Sequence, residues 1–195
     1  MVGRRANAVS PCRRQGEETV ITTIITQITD SGVNLAWDSK VSPYGNHPEK
    51  VKQVNGQFWL GIAGYSRHSD VLHYAEVPEV HPAELNAPGF DARGYLVTQV
   101  VPAWLRALKR SHEIDPDTSD DWPKGSALVV IAGRVFTTDS VFSVTEHVTN
   151  TGIGSGARYA LGALAAGKNI QRAIEVAAEL DPGTGGELFV RKGLK

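Results

Sequence analysis

The chain has 195 residues, 41% of them hydrophobic, enough for a single domain with a substantial core. Its 20 Lys and Arg against 21 Asp and Glu leave a net charge of −1, which supplies neither the basic field of a nucleic-acid binder nor the acidic excess of a disordered segment. Cys12 is the only cysteine, so no intrachain disulfide can form and a reducing, cytoplasmic setting is expected.

Residues 1–21 stand apart: Arg4, Arg5, Arg13 and Arg14 lie among polar filler with no apolar segment of the kind a secretory signal needs. They read as a propeptide, as an arm that binds a partner, or as an extension from an upstream start codon. The domain proper then runs over 22–195. No apolar run in it approaches the roughly 18 residues of a membrane helix.

Residues 20–29 are rich in β-branched side chains, whose stiff rotamers suit a strand. Asp30-Ser31-Gly32 turns the chain into a second strand, Val33–Trp37, and two more follow at Val51–Val54 and Phe58–Ala63 around Asn55-Gly56. The first third therefore reads as one β-meander. Ser66–Tyr74 predicts a short helix, and Pro78, Pro82 and Pro88 make 77–90 a loop. Leu96, Val97, Val100, Val101, Trp104, Leu105 and Leu108 recur at helical spacing, which predicts one long helix over 92–111, kinked at Pro102. An acidic surface loop follows at 115–125. Strands return at Ala127–Ala132, Arg134–Thr138 and Val141–Val148, then helices at Ala157–Ala166 and Ile170–Leu180, the latter capped by Asn169, and a last strand at Glu187–Arg191. This order suits sheets packed together and covered by helices.

Chemistry concentrates on Thr22, Asp38 and Lys50. A threonine hydroxyl is a weak nucleophile until something accepts its proton, and the α-amine of the same residue can do so when that residue begins the chain. A lysine held by a carboxylate lowers the cost of that deprotonation. Taken singly, each residue has a plainer reading: Thr22 as a strand residue, Asp38 as a turn opener, Lys50 as a solvated charge. Gly154-Ser155-Gly156 likewise reads as a turn and helix cap, and Asp181-Pro182-Gly183 as a helix stop.

Six motifs in order change that balance. Thr22-Thr23-Ile24, Asp30 to Ser39, Lys50-Val51, Gly61-Ile62-Ala63-Gly64, Gly154-Ser155-Gly156 with Tyr159-Ala160-Leu161-Gly162, and Asp181 with Thr184-Gly185-Gly186 resemble a proteasome β-type subunit over about residues 22–192. The bacterial two-component peptidase subunit is similar. The resemblance implies an α+β fold of the N-terminal-nucleophile hydrolase type, a four-layer αββα sandwich of two mainly antiparallel sheets. It implies a threonine peptidase that uses no cofactor and acts on peptide or unfolded protein. Identical copies would assemble, as a ring in the relatives, with an ATPase or other assembly partner. Neither nucleic acid nor membrane is expected as a partner.

By the same resemblance Thr22 supplies the nucleophile and the amine base, with Lys50 beside it and Asp38 orienting Lys50. Gly64 offers its N–H to the oxyanion, and Ser155, Asp181 and Thr184 surround the amine. Thr184 stands where the family usually has serine. Ser42 and Gly64 would pair with substrate backbone as an added strand, with Val41 and Ile62 near an apolar side-chain pocket.

Val20 and Ile21 precede Thr22 where family precursors usually carry glycine, and the loop from Asp38 to Lys50 is short. A β-branched Ile21 restricts the bend that self-cleavage requires. A second reading follows, a catalytically silent structural or assembly module that keeps its N-terminal arm, in a bacterial or phage particle. An amidase on a small non-peptide substrate is a third. No metal site emerges from the sequence: none of the six histidines pairs at the spacing of a zinc-binding helix, and His68 and His73 read as surface groups.

Overall fold

The computed structural model describes residues 22–41, 45–46, 50–64, 66–111 and 125–195. The Arg-rich leader, Cys12, Ser42 and the acidic loop through residue 124 lie outside the described residues. β1 (Thr23–Thr29) and β2 (Gly32–Asp38) form the expected hairpin, with Ile24 opposite Trp37 and Thr29 opposite Gly32. Two-residue β3 (Lys40–Val41) and β4 (Gly45–Asn46) follow, then β5 (Val51–Val54) and β6 (Phe58–Gly64). Asn55 and Gly56, both at positive φ (49° and 70°), make the β5–β6 turn, the backbone that an Asn-Gly pair reaches at little cost. Next come α1 (Ser66–His73), α2 (Pro82–Leu85), α3 (Ala92–Tyr95), a π-helical turn (Leu96–Val100) and α4 (Val101–Arg110). The second half holds β7 (Gly125–Ile131), β8 (Arg134–Thr138), β9 (Val144–His147), β10 (Gly152–Gly154), α5 (Ala157–Ala165), α6 (Ile170–Leu180) and β11 (Leu188–Leu194).

The strands form two main antiparallel sheets, ordered β10-β1-β2-β11 and β5-β6-β7-β8-β9. Ile24, Leu35, Trp37, Val51, Leu128 and Val130 fill the space between them. Leu60, Leu96, Trp104 and Phe136 bury the outer face of the five-stranded sheet under α1, α3 and α4. Ile25, Ala36, Ala160 and Ile174 do the same for the four-stranded sheet under α5 and α6. The result is the four-layer αββα sandwich. Strand alternation explains the division: Leu60 and Ile62 face the helices, while Gly61 and Ala63 face the other sheet. At Gly61 a Cβ would stand 2.8 Å from Ile24 Cδ1, so the sheets touch there over glycine.

Five sequence expectations need correction. The first third is not one meander, because β1–β2 and β5–β6 belong to different sheets. The expected loop 77–90 contains α2, capped by His81 with Pro82 in its first turn, where a missing N–H costs nothing. The long helix is not simply kinked at Pro102: the preceding turn widens, Val101 N–H reaching the Leu96 carbonyl, and this extra residue per turn leaves Val97 42% exposed while Leu96 and Val100 stay buried. The strand expected over 141–148 shortens to β9, because Asp139 accepts from the amides of Val141 and Ser143 and Phe142 takes a φ of 60°. His68 and His73 are buried, not surface groups, and His73 Nε2 lies 3.2 Å from the Leu60 carbonyl oxygen.

Ile24 has no exposed surface and joins both sheets just beyond Thr22 and Thr23. Ile24→Ala is expected to cost about 2–5 kcal/mol in urea unfolding, the cost of an unfilled core cavity; a loss under about 1 kcal/mol would mean that the sheets do not depend on this contact.

Candidate active site

The hairpin register turns a separation of sixteen residues into contact. One step beyond the Ile24–Trp37 pair, Thr23 falls opposite Asp38, and its amide donates to Asp38 Oδ1 at 2.9 Å. Thr22 Oγ1 donates to the same oxygen at 3.2 Å, and Lys50 Nζ at 3.0 Å. Asp38 Oδ2 accepts from the amides of Lys40 (3.2 Å) and Gly185 (3.0 Å). Thr22 and Asp38 have no exposed surface and Lys50 has 4%. The ammonium of Lys50 also donates to the Lys40 carbonyl. Burial pulls Lys50 below the usual lysine range, while the charge and hydrogen bond of Asp38 oppose that fall. Thr22, Asp38 and Lys50 thus come together in one buried cluster.

Ser155, Asp181 and Thr184 form a second cluster. β10 pairs with β1, Gly154 opposite Thr23, which carries Ser155 and Gly156 to the start of β1. β11 pairs with β2, Leu188 opposite Asp38, which draws the 181–187 turn to the same place. Asp181 Oδ2 accepts from Ser155 Oγ and from Thr184 Oγ1, each at 2.7 Å. Burial pushes the Asp181 carboxyl up, but these two hydroxyls, the Gly183 backbone and the Arg158 charge outweigh it and leave the group below the usual carboxylate range. Thr23 joins the two clusters, its Oγ1 lying 2.6 Å from Thr184 Oγ1. Gly154, at a φ of 92°, is required by a close approach: a Cβ there would fall on the Thr22 carbonyl oxygen.

Gly64 ends β6 opposite Gly125, and Ile62 packs two residues before it under the helices. Both line a cavity of about 20 Å³ with Leu72 and Phe142, room for about one water. Val41 pairs with Gly45, but its side chain, like Ser42, lies outside the description. Among the described residues no group of three or more His, Cys, Asp or Glu is placed to hold a metal ion, and no helix is long and apolar enough to cross a membrane.

Sequence reasoning assigned no role to Thr23, Lys40 or Gly185. All three act on Asp38 through backbone amides, which no side-chain pattern announces. Lys40 also donates from Nζ to the Pro182 carbonyl at 2.6 Å, tying the Asp38 strand to the Asp181 turn.

A eukaryotic HslV from Trypanosoma brucei superimposes on 87% of this chain and 98% of its own, at a TM-score of 0.60 and 19% identity. The chain has the HslV fold. The same fold relates it to Thiobacillus denitrificans BPH, with a TM-score of 0.63, 20% identity, and 89% of this chain and 99% of that one covered. BPH in complex with epoxomicin matches at a TM-score of 0.63 and 21% identity, over 89% of this chain and 100% of that one. No protein-family model and no curated protein matches the sequence. Within the HslV fold, Thr22, Asp38, Ser155, Asp181 and Thr184 lie at or beside the strand ends of the four-stranded sheet, and Lys50 reaches Asp38 from the start of β5 in the other.

Asp38 accepts five donors from the described residues, of which Lys50 is one. Lys50→Met leaves four of them in place, whereas Asp38→Asn replaces one acceptor oxygen by a donor facing donors. The asparagine is therefore expected to lose more stability in urea unfolding, by about 1–3 kcal/mol beyond the methionine variant. Equal losses would mean that the ion pair, not the set of donors, dominates.

Proposed function

We propose that the chain belongs to the proteasome β-type family and is a threonine peptidase, hydrolysing peptide bonds through Thr22 once Thr22 begins the chain. The observation that carries this reading is the meeting of Thr22 Oγ1 and Lys50 Nζ on one oxygen of a buried carboxylate. A structural domain has no use for an ammonium held beside a wholly buried hydroxyl, since burying that charge costs several kcal/mol per ion.

In this reading the free α-amine of Thr22 takes the hydroxyl proton as Oγ1 attacks the scissile carbonyl carbon. The Lys50 charge favours the developing alkoxide, and the Gly64 N–H donates to the oxyanion. Collapse of the tetrahedral intermediate breaks the C–N bond, and the departing amine takes the proton held by the α-ammonium. Water, deprotonated by the same amine, then hydrolyses the Thr22 ester. Ser155, Asp181 and Thr184 hold the amine in place. Ser42 and Gly64 pair with substrate backbone, and Val41 and Ile62 border an apolar pocket for the side chain before the cut. A neighbour of the same fold bound to epoxomicin supports a site open to that molecule. Several copies of the chain assemble, with an ATPase among the candidate partners.

Complete burial of Thr22 favours the second reading, a silent assembly module that keeps its arm. In the uncleaved chain Thr22 carries an amide nitrogen, which is no base, so the hydroxyl lacks its proton acceptor whatever surrounds it.

Intact mass of the native protein should reveal a species beginning at Thr22. That species is expected to cleave fluorogenic peptides and to bind epoxomicin, the full-length chain to do neither, and Thr22→Ala to lower turnover by at least about a thousandfold. A Thr22-first chain without turnover would overturn the peptidase in favour of the module.

A further inference from the structure

Thr23 is the residue bonded directly to both clusters. Its amide donates to Asp38 Oδ1, and its hydroxyl lies 2.6 Å from that of Thr184. The proton on each bond follows from what the acceptors are. The Thr184 hydroxyl has one hydrogen, and Asp181 Oδ2, which can only accept while ionised, takes it at 2.7 Å. Thr23 must therefore be the donor to Thr184, which gives a one-way chain from Thr23 through Thr184 to Asp181, met at the same carboxylate oxygen by Ser155. Such chains polarise along their length, so the first hydroxyl strengthens the bond made by the second.

Gly156 shows that space at this junction is restricted. Its backbone, with φ −81° and ψ −9°, is ordinary helical backbone that any residue adopts. Conformation does not explain the glycine. A Cβ built there would fall on the hydroxyl oxygens of both Thr23 and Thr184 and within 3.0 Å of Asp181 Oδ2. Thr23 and Thr184 are buried, at 0% and 3% exposure, so water is not at hand to replace a lost partner.

We propose that Thr23 is a positioning residue whose hydroxyl orients Thr184 and, through it, the Asp181 carboxylate, and that Gly156 is the empty seat that allows the two hydroxyls to meet. Its catalytic consequence rests on the peptidase reading; the link itself does not. The groups acting on Asp181 are the hydroxyls of Ser155 and Thr184, the Gly183 backbone and the Arg158 guanidinium, with the Lys40 ammonium one residue away on the Pro182 carbonyl.

The test is the titration of Asp181 by carboxyl ¹³C NMR in the full-length chain, its signal identified by its loss in Asp181→Asn. Thr23→Val keeps the β-branched shape and the amide bond to Asp38 but removes the donor. The Thr184 bond to Asp181 then weakens, the ionised form is less favoured, and the midpoint is expected to rise by about half a pH unit. Thr23→Ser restores the hydroxyl and should restore the midpoint; Gly156→Ala, which displaces both hydroxyls, should raise it as valine does. In a Thr22-first chain the acid limb of kcat/KM should follow the same shift, with KM unchanged. An unaltered midpoint in both Thr23→Val and Gly156→Ala would overturn the proposal. A raised midpoint without turnover from any Thr22-first chain would sink the peptidase reading and leave the Thr23 link supported.

Discussion

Five donors on one buried carboxylate hold this site together. Asp38 takes a hydroxyl, three backbone amides and an ammonium on its two oxygens, and each comes from a different residue: Thr22, Thr23, Lys40, Gly185 and Lys50. A buried ionised carboxylate is tolerated only when its lone pairs are met, and here the requirement gathers four chain segments around one atom group. Removing the charge would loosen all of them. The nucleophile candidate and its cation are neighbours because both need Asp38, not because they touch in sequence.

The four-stranded sheet makes that gathering possible. Its strand ends converge: β1 begins at Thr23, β2 ends at Asp38, β10 ends at Gly154 and β11 begins at Leu188. Antiparallel pairing places these ends side by side, so the polar groups lie at or just beyond the last pairs of the ladder, while Ile24, Leu35 and Trp37 farther inward fill the core between the sheets. Stability and chemistry thus share the same strands but occupy different ends of them. Lys50 reaches the site from the start of β5 in the facing sheet, which makes sheet-to-sheet contact at Gly61 and Ile24 part of the site's geometry.

Much of this was legible beforehand, for reasons particular to each residue. The β1–β2 hairpin was legible because a β-branched run precedes Asp30-Ser31-Gly32 and an apolar segment, Val33–Trp37, follows it, and a hairpin centred there must bring residues near 22 and 38 together. Asn169 and Asp181 read correctly as helix cap and helix stop because both act within a few residues of themselves. β10 was illegible, since Gly-Ile-Gly has no strand pattern and becomes a strand only because the start of β1 lies beside it. The widened turn before Pro102 was also hidden: apolar spacing sees a helix but not which carbonyl the Val101 amide selects. His68 and His73 were misjudged because histidine carries no burial signal of its own.

From the sequence came the β1–β2 and β5–β6 hairpins, the helices near 66–74, 157–166 and 170–180 and, through the resemblance that its ordered motifs carry, the set Thr22, Asp38, Lys50, Ser155, Asp181 and Thr184, because local patterning and motif order depend on side-chain type. Tertiary structure alone decided how the meander splits between two sheets, which amides reach Asp38, and that Thr23 and Gly156 belong to the hydroxyl junction. Those depend on backbone groups and on empty volume, and neither a peptide N–H nor the space left by a missing Cβ is written in the identity of the residue that uses it.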